Sequence, residues 1–174
     1  MVNDIAEKTR TSVDAFATEA VLRLEEFLPY RLNVCSTLVS QALSRIYADR
    51  YHIGIPEWRV LVTLGQFGMM TGKAVGIHST MHKTKVSRAV AQLEKRKLLA
   101  RRANRADLRE AFLSLTPAGE EIYREAAPIA LGFAERLIDA IDPADRAALD
   151  RALLKLTEAS NRLAAELAKT TAQR

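Results

Sequence analysis

The chain is short of the residues that cross-link and punctuate. Its 174 residues include one cysteine, seven glycines and five prolines. A single cysteine, Cys35, excludes an intrachain disulfide framework. With glycine and proline sparse and Ala, Leu, Glu and Arg abundant, the bias is toward helix. No apolar run approaches the roughly 20 residues that span a bilayer. The start, MVNDIAEKTRTSVDAF, lacks the basic beginning and apolar centre of a signal peptide, so the expected location is the cytoplasm. There is no phosphate-cradling glycine loop, no paired-carboxylate motif and no nucleophile with a base at readable spacing. No enzyme is expected. The histidines His52, His78 and His82 have no cysteine pair or acid cluster beside them. They fall short of the roughly four ligands of a zinc site, so no metal and no other cofactor is expected.

What is present is a large apolar fraction and one concentration of positive charge. At 48% hydrophobic residues the chain can bury a core as one domain, with or without a helical extension. The stretch Met81–Arg109 holds ten Lys or Arg against two acids, Glu94 and Asp107. Its net charge is +8, while the whole chain carries +5. The charge is therefore local, as on a protein whose one face meets a polyanion.

The expected architecture is mainly α. A first amphipathic helix is expected over 3–27, with Val13, Phe16, Ala20, Leu24 and Phe27 on its apolar face. A second runs from Pro29 to about Arg50, with the stripe Leu32, Cys35, Val39, Ala42 and Ile46. Cys35 on that stripe reads as a packed thiol of low reactivity rather than a redox sensor. Pro56 opens a third helix. Thr71 is a candidate N-cap for a short helix over Gly72 to Ile77, followed by a turn at His78-Ser79-Thr80. A basic helix from His82 to Lys97 buries Val86, Val90 and Leu93. Helix, tight turn and basic helix together make a helix-turn-helix layout. Strands over Leu98–Ala103 and Arg109–Leu115 form a small β-ribbon wing with a charged tip. Thr116-Pro117 and Asp142-Pro143 each start a helix, running to about Ile141 and Thr170. The last helix carries Leu149, Leu153, Leu156, Ser160, Leu163 and Leu167 as a coiled-coil-like seam that needs a partner. The expected division is terminal helices over 1–50 and 117–174, flanking a winged helix-turn-helix over 51–116.

In this order of elements, the segments LPYRLNV, IPEWRVLVTL, KTKVSRAVAQLEKRKLL and DLREAFLSLTPAG resemble the MarR family of winged helix-turn-helix transcription regulators. The most specific match is Asp107, Arg109, Leu115, Thr116 and Gly119. Lys97 stands where the family has a glycine, which suggests a different helix exit, and His82 stands where an acid usually opens the recognition helix. The resemblance implies a homodimer built on the terminal helices. It also implies a pseudo-palindromic operator on double-stranded DNA, repression, and release by a small aromatic or phenolic effector.

His82, Lys83, Thr84, Lys85, Ser87 and Arg88 form the front of the basic helix. A helix N-terminus there offers a positive dipole, hydroxyls and long cations to a major groove. Arg102, Arg105 and Arg109 carry the wing, with Arg105 placed at the tip to enter a minor groove. Asp107 is expected to pair with Arg109 and hold the wing's shape. Tyr30, Arg31, Trp58 and Arg59 are the candidate effector residues, through an arginine clamp on a carboxylate and a ring stack. The competing reading is a non-enzymatic DNA-coating or adaptor protein that uses the same basic surface without an effector. No membrane partner is expected.

Overall fold

The computed structural model describes residues 21–104 and 109–172. The chain divides into two compact units, Met1–Ser40 and Gln41–Arg174. Most of the first expected helix lies outside the described residues. Its described end, 21–27, is not helical. Residues 24–26 make a turn closed by the bond from the Phe27 N–H to the Leu24 carbonyl, 3.2 Å. Helix α1 begins just after it, Leu28–Tyr51. Pro29 has no N–H for a helix arriving from residue 25, which accounts for the break. Within 21–40 only Val34, Val39 and Ser40 are even half-buried. Cys35, expected in a packed stripe, is exposed. Leu32 and Ala42 of the same stripe are exposed as well; α1 enters the core through Tyr47 and Tyr51, outside that stripe, and no described residue of 21–40 belongs to the core.

The second unit follows the sequence closely. Helix α2 is Ile55–Phe67, with its proline in the first turn. Strand β1, Met70–Thr71, leads directly into α3, Gly72–Ser79. Thr71 is the N-cap of α3, its hydroxyl accepting the Ala74 N–H at 3.3 Å. Helix α4 is Lys83–Lys95, followed by β2, Leu99–Ala103, and β3, Ala111–Leu115. Helix α5 is Pro117–Ile138 and α6 is Pro143–Ala172. Asp142 starts α6 as expected, accepting the Ala144 N–H at 2.9 Å. The sheet is antiparallel in the order β1-β3-β2. Met70 lies opposite Leu113, and Leu99 opposite Leu115.

One core gathers α2, α3, α4 and the sheet around Val60, Leu61, Leu64, Val75, Val86, Val90, Leu93 and Leu113. Tyr47 and Tyr51 of α1 and Ala126 of α5 belong to it too. The inner ends of the flanking helices thus pack with the winged part. Helix α6 gives the core no residue among those described. Of its seam, Leu149 and Leu156 are half-buried, while Leu153, Leu163 and Leu167 are 48%, 56% and 68% exposed.

Candidate nucleic-acid interface

Helix α4 has two opposed faces. Val86, Ala89, Val90 and Leu93 are buried at helical spacing. Lys83, Thr84, Lys85, Ser87 and Arg88 are all exposed, and no acid precedes Glu94 on the helix. His82, expected among the contact residues, is exposed and is the N-cap of α4. Its Nδ1 accepts the Thr84 N–H over a long 3.4 Å. A helix start carries the positive end of the helix dipole, and with no local acid it is suited to an anion.

The turn before α4 begins two residues later than expected, because His78 and Ser79 are still helical. Thr80 takes a left-handed conformation, φ 53, and the Met81 N–H returns to the Gly76 carbonyl at 3.0 Å. Gly76 lets the two helices approach. A Cβ there would sit 3.1 Å from the Met81 carbonyl oxygen.

Between α3, α4 and the wing lies an open cleft of about 740 Å³. Lys73, Lys83, Ser87, Arg101 and Arg109 line it over a floor that includes Val86, Val90 and Leu113. Lys73 was not expected here: it lies on α3, outside the basic stretch. Arg101 is held by an ion pair, its Nε 2.7 Å from Glu94 Oε1, which ties β2 to α4. Arg102 is exposed on the next position of β2, and so on the opposite side of the ribbon. Arg109 is exposed beside the cleft. Arg105 and Asp107 lie outside the described residues.

The family model that matches this chain, over residues 53–111, is that of the MarR family. The match spans the helix-turn-helix and β2. Over these residues the chain carries a MarR domain. Among solved structures, a MarR family transcriptional regulator from Silicibacter pomeroyi is 27% identical, with a TM-score of 0.66; the match covers 79% of this chain and 91% of that one. Sco3205, a MarR family regulator from Streptomyces coelicolor solved in complex with DNA, is 24% identical with a TM-score of 0.70, covering 80% and 89%. BpsR of Bordetella bronchiseptica, whose DNA binding is regulated by 6-hydroxynicotinic acid, is 23% identical with a TM-score of 0.62, covering 73% and 98%. No curated protein matches the chain.

The geometry explains two of the motif positions physically. Lys97, in place of the family's glycine, adopts the left-handed conformation that glycine favours, φ 60. The Leu98 N–H closes the exit of α4 on the Leu93 carbonyl at 2.9 Å. The exit is thus kept at the cost of a strained lysine. Lys97→Gly should raise stability by about 1 kcal/mol, seen as a rise in Tm of about 2–4 °C. The Thr116 hydroxyl donates to the Lys97 carbonyl at 2.7 Å and accepts the Gly119 N–H at 3.2 Å. The wing's return strand and α5 are therefore fastened to the end of α4.

The four candidate effector residues differ in setting. Tyr30 and Arg31 are exposed residues of the N-terminal unit. Trp58 is 6% exposed and stacks on Tyr47, ring centroids 4.6 Å apart at 10°. Arg59 is half-buried, and its charge partly offsets the burial that pushes the Tyr47 hydroxyl up to about 12. Desolvation, and then the bond to Glu125, raise the Tyr51 hydroxyl as well. Among the described residues no group of three His, Cys, Asp or Glu could hold a metal ion. No helix among them is long and apolar enough to cross a membrane.

Proposed function

We propose that the protein is a sequence-specific DNA-binding transcriptional regulator that acts as a homodimer on a pseudo-palindromic operator and represses by occupying it. The observation that carries this is the acid-free, exposed front of α4, backed by a buried apolar face and flanked by the cations of the wing cleft. Lys and Arg suit guanine edges, while Ser87 and Thr84 suit bases or phosphate. The Sco3205–DNA complex supports this use of the fold. Dimerisation is supported by large apolar side chains left exposed on α1, α5 and α6, among them Leu32, Leu131 and Leu163. Two recognition helices related by a two-fold axis would read half-sites about 10 bp apart. Control by a small aromatic acid or phenol is the reading that the BpsR regulation by 6-hydroxynicotinic acid supports. Such an effector would bias the spacing of the two reading heads. As a regulator of DNA it would work in the cytoplasm.

Selection from a random duplex pool tests the reading. One sequence class should emerge, bound by a dimer in sedimentation. Arg88→Ala and Arg105→Ala should each weaken gel-shift affinity for it about tenfold, with the dimer still folded. Unchanged affinity in both variants would remove the reading head. Salt-sensitive binding without sequence preference would favour the DNA-coating alternative.

A further inference from the structure

We propose that Arg96 is a positioning residue of the reading head: its guanidinium fixes the end of α4 to the end of α1 and so sets how the front of α4 meets DNA. This rests on α4 being the DNA-reading helix. Arg96 sits in the run Lys95-Arg96-Lys97, where a sequence reading gives it a dipole-offsetting or phosphate-touching role. The geometry assigns it elsewhere. Nη1 donates to the His52 carbonyl at 2.9 Å and Nη2 to the Tyr51 carbonyl at 2.6 Å.

Tyr51 is the last residue of α1, and His52 turns the chain away with a φ of 51. The last carbonyls of a helix have no partner within it and carry the negative end of its dipole. A forked guanidinium satisfies one of them, that of Tyr51, together with the His52 carbonyl just beyond the helix, with charge-assisted bonds. Arg96 is itself the C-cap of α4, its N–H bonded to the Gln92 carbonyl at 3.2 Å. One residue thus ends the recognition helix and caps α1.

The same end of α1 is held from another side. The Tyr51 hydroxyl and the Arg50 guanidinium each donate to Glu125 Oε2 on α5 at 2.9 Å. Tyr51 is buried in the core, so its carbonyl is a firm anchor. Helices α1 and α5 are among those assigned above to the dimer. A shift of the end of α1 must break the Arg96 bonds or carry the end of α4 with it, and a shift of α5 reaches the same point through Glu125, which is a physical route from the flanking helices to the bases.

The test compares Arg96→Lys, Arg96→Gln and Lys85→Ala with wild type by fluorescence anisotropy. The probes are the duplex selected by wild type and a scrambled duplex of equal length, each measured over a range of salt. Arg96→Lys keeps the charge but cannot bridge two carbonyls. It should bind the selected duplex about tenfold more weakly and the scrambled duplex as wild type does. The slope of log affinity against log salt should be unchanged in both Arg96 variants and fall by about one unit in Lys85→Ala. Amide exchange gives a readout independent of DNA: protection over residues 93–98 and 48–53 should fall in Arg96→Lys. Wild-type affinity of Arg96→Lys for the selected duplex, unchanged exchange, or a slope lowered by about one unit in Arg96→Gln would each overturn the proposal. Failure of wild type to select any duplex would instead overturn the DNA reading itself, and exchange would still judge the brace.

Discussion

Trp58→Ala should cost about 3–5 kcal/mol, the usual loss for emptying a large aromatic site in a core. The indole is 6% exposed and lies flat on Tyr47, which is 1% exposed. Removing it deletes the stack and leaves a void between α1 and α2. The buried residues of α2, Val60, Leu61 and Leu64, share one cluster with Val86, Val90 and Leu93 of α4, so the support of the recognition helix goes with it. Urea unfolding should show a lower midpoint at constant slope. Trp58→Phe keeps a ring on Tyr47 and should cost about 1–2 kcal/mol. This pair also bears on the effector. A tryptophan serving as the platform for a ligand ring would lose ligand response on change to Phe while stability held. A core tryptophan loses stability first, in the order Ala then Phe, whether or not a ligand is present.

The helices were legible because their signals are local. Val86, Val90 and Leu93 lie on one face by spacing alone, and the acid-free opposite face can be read in the same line. Thr71, Thr116 and Asp142 announce helix starts because a cap acts within three residues. What the sequence hid is set by distant partners. Strand β1 is two residues long and shows no alternation; it exists because Met70 and Thr71 pair with Leu113 and Phe112. The left-handed Thr80 runs against the preference of a β-branched residue and is held by the return of the Met81 N–H to Gly76. Arg96 reads as one charge in a run of three, yet its partners lie 44 and 45 residues earlier. Cys35 shows the opposite error. Periodicity grouped it with Leu32 and Ala42, which are exposed too, whereas α1 meets the core through Tyr47 and Tyr51.

Gly119→Ala should be as damaging as the tryptophan deletion, for a different reason. Gly119 is buried in the first turn of α5, and a Cβ there would run into the Leu98 carbonyl. The obstacle is backbone, not the movable end of a side chain. It is also pinned: the Leu98 carbonyl accepts the Thr116 N–H at 3.1 Å, and Leu98 is itself held by its N–H on the Leu93 carbonyl. Relief requires α5 to back away from the end of α4, breaking the bonds of Thr116 to Lys97 and Gly119. A cost of about 3 kcal/mol or more is expected, a fall in Tm of roughly 6–12 °C for a chain of this size. The spacing Thr116-x-x-Gly119 therefore works as one device: a hydroxyl that caps α5 and a missing side chain that lets the cap reach α4. Thr116→Ser keeps the hydroxyl and should cost less than 1 kcal/mol, while Thr116→Val, of similar shape but without it, should cost about 1–2 kcal/mol. If Gly119→Ala melts with wild type, α5 is not seated on α4 through this contact.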